Sequence, residues 1–248
     1  MKKHHALFFA LIITALIAVN YFLFSVQLSP QIEREKVTIS RVIDGDTFEL
    51  DDGRKIRLVN VNTPEKNIPG SELATEFLKS YENEIVEMEA IGTDKYDRTL
   101  ARIYTPEYLN LELVKRGLSS KFLVQKEELS IFADAEEKAI ESSLGIWKRS
   151  PYFNCLKSSI NQEMEYVTIT NNCDNIHIQS WILKDESRKV YEFPNVDIGT
   201  ITLYTKAGEN NEKILFWGSK TDVWNNDRDS LYLFDQEWKI AHYNSYGY

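Results

Sequence analysis

The sequence predicts a mainly β protein, in which an OB-fold five-stranded barrel with three helices is followed by a β-sandwich and preceded by an N-terminal membrane helix. Three observations predict it. Residues 6–24 form an uncharged apolar run. Up to about residue 150, short alternating segments mix with helical periodicities. Beyond that point the helical signal disappears, and short runs of β-branched and aromatic residues follow at fairly even intervals. The chain of 248 residues therefore divides into an N-terminal segment with a polar tether (1–36), a barrel domain (37–150) and a sandwich domain (151–248).

The apolar run would extend about 28 Å as a helix, close to the thickness of a hydrocarbon core. Lys2 and Lys3 precede it, so the positive-inside rule places the long C-terminal part outside the cytoplasm. A cleavable signal peptide needs a small-x-small site. Ala18 has Leu16 two residues before it and Ser29 has Gln27, which favours an uncleaved signal-anchor over secretion after cleavage. Asn20 is a tolerable polar interruption, and residues 27–36 (QLSPQIEREK) read as the tether. The expected location is the cell surface, with a membrane partner through this helix.

In the barrel domain, residues 36–42 and 47–50 alternate, Asp51-Asp52-Gly53 is a hairpin-type turn, and residues 55–61 return as a third strand. Leu73, Phe77 and Leu78 give residues 71–81 a helical face, with Ser71 as candidate cap. Residues 85–91 and 99–104 complete five strands. Helices over 109–116 and 127–143 end at Gly117 and Gly145. In the second domain the strand-like runs are 166–170, 176–183, 190–193, 201–204, 214–217 and 231–234. Trp181, Trp217 and Trp224 read as core or turn-packing residues, and residues 225–229 (NNDRD) as a tight loop rather than a second cation site.

Composition narrows the chemistry. The net charge is −9, with +2 on residues 1–36, −6 on the barrel domain and −5 on the sandwich domain. A broad basic face that wraps duplex is excluded, whereas a local cationic pocket for one phosphate is not. His4, His5, His177 and His242 are scattered, and no Cys/His cluster has zinc spacing. Cys155 and Cys173 are either two independent thiols or a disulfide, and an even count outside the cell favours the bridge. Nothing implies an oligomer.

Three segments concentrate unlike charges beyond what packing requires: Asp44-Gly45-Asp46-Thr47, Arg57 followed by Asn62-Thr63-Pro64-Glu65, and Asp94-Lys95-Tyr96-Asp97-Arg98. Singly they are turns and an edge arginine. Together they supply carboxylates for a hard cation, a potential base and two guanidinium groups. Residues 41–65 (RVIDGDTFELDDGRKIRLVNVNTPE) resemble the start of the staphylococcal nuclease, or thermonuclease, family. Residues 94–104 (DKYDRTLARIY), 111–118 (LELVKRGL) and 144–147 (LGIW) continue the resemblance in order.

The resemblance implies an OB-type barrel and a Ca²⁺-dependent endonuclease that hydrolyses DNA and RNA with low sequence specificity, leaving 3′-phosphates. It implies that Asp46 and the Thr63 carbonyl bind the ion, that Asp44 acts on it through water, and that Glu65 is the general base. Arg57 and Arg98 would neutralise charge building on phosphorus, and Lys95 and Tyr96 would contact nucleotide phosphate. Asn62 stands where the family carries a second ligand aspartate. It still offers a carbonyl oxygen, which implies weaker Ca²⁺ binding or a preference for another divalent ion. Asp97 replaces a usual glycine. The family's base-stacking tyrosines are not evident in residues 119–125, where Phe122 is the substitute.

The second domain, through residues 165–174, 180–185 and 223–234, resembles the lamin-tail domain, an immunoglobulin-like sandwich, which implies a binding module whose ligand is unknown. The alternative reading of the whole chain is a surface binding or adhesion protein whose nuclease fold has lost activity.

Overall fold

The computed structural model describes residue 5 and residues 12–21, 34–174 and 176–248. Residues 12–21 are helical, and the Asn20 side-chain amide donates to the Leu16 carbonyl at 2.8 Å. Residues 6–11 and 22–24 of the expected membrane span lie outside the described residues. Among the described residues, no helix is long and apolar enough to cross a membrane.

From Glu35 onward the chain starts with strands β1 (Glu35–Val42), β2 (Thr47–Leu50), β3 (Lys55–Leu58), a two-residue β4 (Val61–Asn62), β5 (Ile85–Thr93) and β6 (Thr99–Tyr104). Five of them close a barrel in the order β1-β2-β3-β6-β5, with β3 and β6 parallel and the other described pairings antiparallel. Period-2 alternation sends Val37, Ile39, Phe48, Leu50, Ile56, Leu58, Val86, Met88, Ala101 and Ile103 into the core. Helices α1 (Ser71–Lys79), α2 (Leu109–Lys115) and α3 (Leu129–Glu141) pack around it, the last preceded by a 3₁₀ turn at Lys126–Glu128. The five-stranded barrel and its helices match the sequence expectation. Two details differ. Ser71 is the first helical residue and not the cap; Gly70, at φ 91, occupies the cap position, where no side-chain cap bond forms. The expected strand over 55–61 breaks after Leu58, because Asn60 turns into the left-handed region at φ 67.

Gly117 and Gly145 end α2 and the segment after α3 with φ of 66° and 51°, and they also face each other. A Cβ on Gly145 would lie 2.1 Å from the Gly117 carbonyl oxygen, which accepts the Ile146 amide at 2.8 Å. Two glycines thus let two helix ends meet backbone to backbone.

The chain continues with β7 (Ser120–Lys121), which pairs with β4, and then β8 (Leu156–Asn161), β9 (Tyr166–Asn171), β10 (Ile176–Ile178), β11 (Ile182–Lys184), β12 (Val190–Glu192), β13 (Val196–Ile198), β14 (Thr200–Tyr204), β15 (Ile214–Phe216), β16 (Asp229–Phe234) and β17 (Ile240–Tyr246). Two four-stranded sheets, β12-β11-β16-β17 and β15-β14-β9-β8, enclose one core containing Val167, Ile169, Leu183, Ile201, Leu203, Leu231 and Leu233. Trp181 and Trp224 are buried in it, and Trp217 is partly buried against it. The single strand expected over 176–183 is split where Ser180 takes φ 56. A disulfide joins Cys155 to Cys173 and ties the approach to β8 to the turn after β9. In the 225–229 loop, the Asp229 carboxylate accepts the Asn225, Ser230 and Glu186 amides at 2.7–3.1 Å, so it organises the turn.

Residues 35–248 form one compact unit. Strand β16 explains why. Its residues are buried throughout: Leu231 and Leu233 face the core between the two four-stranded sheets, while Tyr232 and Phe234 pack with Trp147 and α3. There they stack on Trp147, at ring distances of 5.4 and 6.2 Å, beside Ala139 and Ile140 of α3.

His242 on β17 lies 2.9 Å from the Ser158 hydroxyl, and burial pushes its pKa down to about 4. Its unfolded value is about 6.5. The unfolded chain therefore binds the extra proton first. His242's contribution is fully present above about pH 6.5 and is lost as pH falls towards about 4, an effect of up to roughly 3 kcal/mol. Urea unfolding between pH 7 and pH 4.5 should show a shallower loss of stability in His242→Asn than in wild type. Parallel curves would refute it.

Candidate active site

The turn between β1 and β2 is set locally. Ile43 and Asp44 donate their amides to the Thr47 carbonyl, and Asp44 Oδ1 accepts the Asp46 amide at 3.0 Å. The glycine between the two aspartates has a packing reason. A Cβ on Gly45 would lie 2.6 Å from the Ala74 Cβ and 2.8 Å from the Thr63 hydroxyl. Glycine lets this turn close against α1 and the segment after β4.

Asp46 is buried and fully engaged. Its Oδ1 lies 3.0 Å from Arg57 Nε and accepts the Thr47 hydroxyl at 3.1 Å, while Oδ2 accepts both the Thr63 amide and hydroxyl at 3.1 Å. Arg57, on β3, is buried as well and donates to the Val61 carbonyl at 2.9 Å and to the Leu58 carbonyl. Burial pulls its pKa down, with the charges of Arg188 and Arg98 adding to that and Asp46 opposing it. Burial raises Asp44, and the neighbouring Asp46 charge raises it further.

Arg98 opens β6 from a loop organised by Asp94, whose Oδ1 accepts the Tyr96 and Arg98 amides at 2.9 and 3.1 Å and whose Oδ2 accepts Arg98 Nε at 2.8 Å. Burial pushes the Asp94 carboxyl up, but these bonds outweigh it and hold its pKa low. Asp97 sits in the same loop at φ 62, a conformation that favours glycine. Arg98 Nη1 is 3.5 Å from the Thr47 hydroxyl, which joins this loop to the Asp46 turn. Tyr96 is exposed, with Arg98 5.5 Å and Lys95 5.0 Å from its ring centre.

These elements enclose a cleft of about 680 Å³, whose lining includes Asp44, Asp46, Thr63, Glu65, Arg98 and Arg188. Glu65 is 71% exposed, and its Oε1 accepts Arg188 Nη1 at 2.9 Å. Arg57 stands behind this lining, on Asp46. Lys95 and Tyr96 flank Arg98 and do not line the cleft.

Asn62, expected as a metal ligand, is placed elsewhere. It lines a separate space of about 30 Å³ with Lys184 and Asp185, where its buried Oδ1 has no hydrogen-bond partner. The reason is strand alternation: β4 pairs with β7, matching Asn62 to Ser120, so Asn62 and Thr63 face opposite sides.

Among the described residues, no group of three or more His, Cys, Asp or Glu side chains is arranged to hold a metal. The groups lining the cleft that could ligate a cation are oxygens, among them those of Asp44, Asp46, Thr63 and Glu65, with no His or Cys beside them. Arg57 already meets the charge of Asp46, so the neighbouring Asp44, raised by burial and then by the Asp46 charge, is the carboxylate that a cation would offset. This donor set fits a hard divalent ion.

Arg188 also lines the cleft, although nothing in the sequence singles it out. It lies 123 residues from Glu65 in a turn of the second domain, and no local motif marks it.

The barrel domain is similar to known proteins. The family described as "Staphylococcal nuclease homologue" matches residues 55–149. The thermonuclease of Staphylococcus intermedius is 35% identical over 136 residues, which cover 49% of this chain and 81% of the relative. An uncharacterized endonuclease of Escherichia coli O157:H7 is 30% identical over 114 residues, covering 44% of this chain and 74% of the relative.

Proposed function

Because the chain belongs to the staphylococcal nuclease homologue family, we propose that it is an exported, Ca²⁺-dependent endonuclease that hydrolyses DNA and RNA with low sequence specificity. The observation that supports this most is the shared cleft in which Asp46, Thr63, Glu65 and Arg98 meet, with Arg57 bonded to Asp46 behind it. Glu65 takes a proton from water as the water oxygen attacks phosphorus. The bond from phosphorus to the 5′-oxygen breaks, and that oxygen leaves with a proton from solvent. Arg98, reaching into the cleft, and Arg57, deeper, stabilise the charge that builds on the phosphoryl oxygens. Asp46 and the Thr63 carbonyl would hold the ion, with Asp44 acting on it through water, and the ion would supply further charge neutralisation at the phosphate when bound. Lys95 and Tyr96 extend the substrate path beyond Arg98.

Two further features belong to this reading. Lys2, Lys3 and the apolar residues 6–24 support a signal-anchor that leaves residues 35–248 outside the cytoplasm, where the Cys155–Cys173 disulfide persists. The two-sheet domain serves as a lamin-tail-like binding module, consistent with its resemblance and its single shared core.

The test is cleavage of single-stranded DNA by the purified full-length protein with Ca²⁺, with a panel of other divalent ions, or with a chelator. The expected result is cleavage that the chelator abolishes and that more than one ion restores, because Asn62 leaves the site one carboxylate short. Cleavage indifferent to the chelator would sink the metal assignment. Absence of cleavage with every ion would favour a binding or adhesion protein, a reading supported by the position of Asn62 outside the cleft.

A further inference from the structure

We propose that Arg188, contributed by the second domain, is a substrate-binding residue of the cleft. Its guanidinium exchanges Glu65 for an oxygen of a phosphate next to the scissile one when nucleic acid enters. The proposal rests on the nuclease reading of the same cleft.

The arginine is held in place by both domains. It lies in the hairpin turn between β11 and β12 at φ 78. Asp185 closes this turn by accepting the Lys189 amide at 2.7 Å, and Ser187 donates to the same carboxylate. Next to it, the Glu186 amide donates to Asp229 at 3.1 Å, while the Glu186 carboxylate accepts the Leu123 amide of the barrel domain, also at 3.1 Å. The turn is thus pinned to its own sheet and to the barrel. From it the Arg188 guanidinium passes 5.5 Å from the Phe122 ring centre and ends at Glu65.

The three guanidinium groups differ in availability. Arg57 is only 6% exposed and committed to Asp46 and two carbonyls. Arg98 is 26% exposed and held by Asp94. Arg188 is 38% exposed, and among the described residues its hydrogen-bond partner is the exposed Glu65. An exposed ion pair of this kind contributes little and is exchanged at small cost. A phosphate group offers a guanidinium anionic acceptor oxygens as a carboxylate does. The exchange also frees Glu65 to face water. On a barrel domain with a net charge of −6, one more cation at the cleft matters for retaining a polyanion.

The experiment compares wild type, Arg188→Gln and Arg188→Lys as full-length proteins on a single-stranded oligonucleotide over a range of salt. The expected result for Arg188→Gln is a KM raised about tenfold with a much smaller change in kcat, and a shallower dependence of KM on salt by about one phosphate contact. Arg188→Lys should recover part of the loss. An unchanged KM and salt slope would overturn the proposal. So would a raised kcat at unchanged KM, which would make Arg188 a clamp on Glu65. Binding of a fluorescent oligonucleotide under chelator separates this from the nuclease reading. If wild type never cleaves yet binds about tenfold more tightly than Arg188→Gln, the arginine contact stands and the nuclease reading falls. Equal binding by the two removes the contact.

Discussion

Glu65→Gln should lower kcat for single-stranded DNA by about 10²–10⁴ and leave thermal unfolding unchanged. The amide keeps the shape of the side chain and still accepts a hydrogen bond from Arg188, but it takes no proton from water. The carboxylate is 71% exposed, and the Arg188 contact is an exposed pair, so folding loses little. This separation of activity from stability makes the variant informative. Gly45 or Arg57 would not give it, because both are packed into the site and a change there disturbs the fold as well. Steady-state turnover with Ca²⁺, alongside calorimetric melting of the same preparations, decides the matter. Equal turnover would remove Glu65 from the mechanism, and a large drop in Tm would mean that lost activity reports unfolding.

The residues that were legible in the sequence are those whose placement is local. Asp46, Arg57, Thr63 and Glu65 lie within one strand-turn-strand passage, and a hairpin with Gly53 at φ 87 fixes how β2 and β3 return on each other. Arg98 immediately precedes β6, the strand that pairs with β3. Strand alternation and turn chemistry carry that much. Asn62 lines a different space because its direction depends on a break at Asn60 and on pairing with Ser120, 58 residues away, neither of which periodicity reveals. Arg188 is the extreme case. Its role depends on how one domain docks on the other, and the docking surface includes side chains, such as Tyr232 and Phe234, that alternate with sandwich-core residues on a single strand. From sequence, residues 231–234 of that strand are an unbroken run of apolar and aromatic residues that does not announce two different partners.

The same docking surface carries the largest expected effect on stability. Lys121 of β7 and Glu136 of α3 form an ion pair in which both side chains are fully inaccessible. Glu136 also accepts the Lys121 amide at 2.9 Å and the hydroxyls of Tyr232 and Tyr243 from the second domain at 3.0 and 3.2 Å, while Lys121 Nζ donates to the Ser230 hydroxyl at 2.7 Å. Burial opposes the lysine's charge, but Glu136 outweighs it and holds the pKa above the usual lysine value. Glu136→Leu leaves a buried ammonium without its counter-ion and strips acceptors from three donors. Loss of one partner of such a pair costs about 3–5 kcal/mol, which in a protein of this size lowers Tm by on the order of 10 °C. The double variant Lys121→Met with Glu136→Leu removes both charges and should recover part of that loss. Recovery stays incomplete, because the Lys121 amide and the two tyrosine hydroxyls still lack their acceptor. Thermal melting of wild type, the single variant and the double variant tests this. If Glu136→Leu melts within a degree or two of wild type, the pair does not hold the domains together. The consequence for function is direct: the contact that joins the domains also keeps the Arg188 turn beside Glu65, so Glu136→Leu should raise KM even below its melting temperature, whereas Glu65→Gln acts chiefly on kcat and does not raise KM.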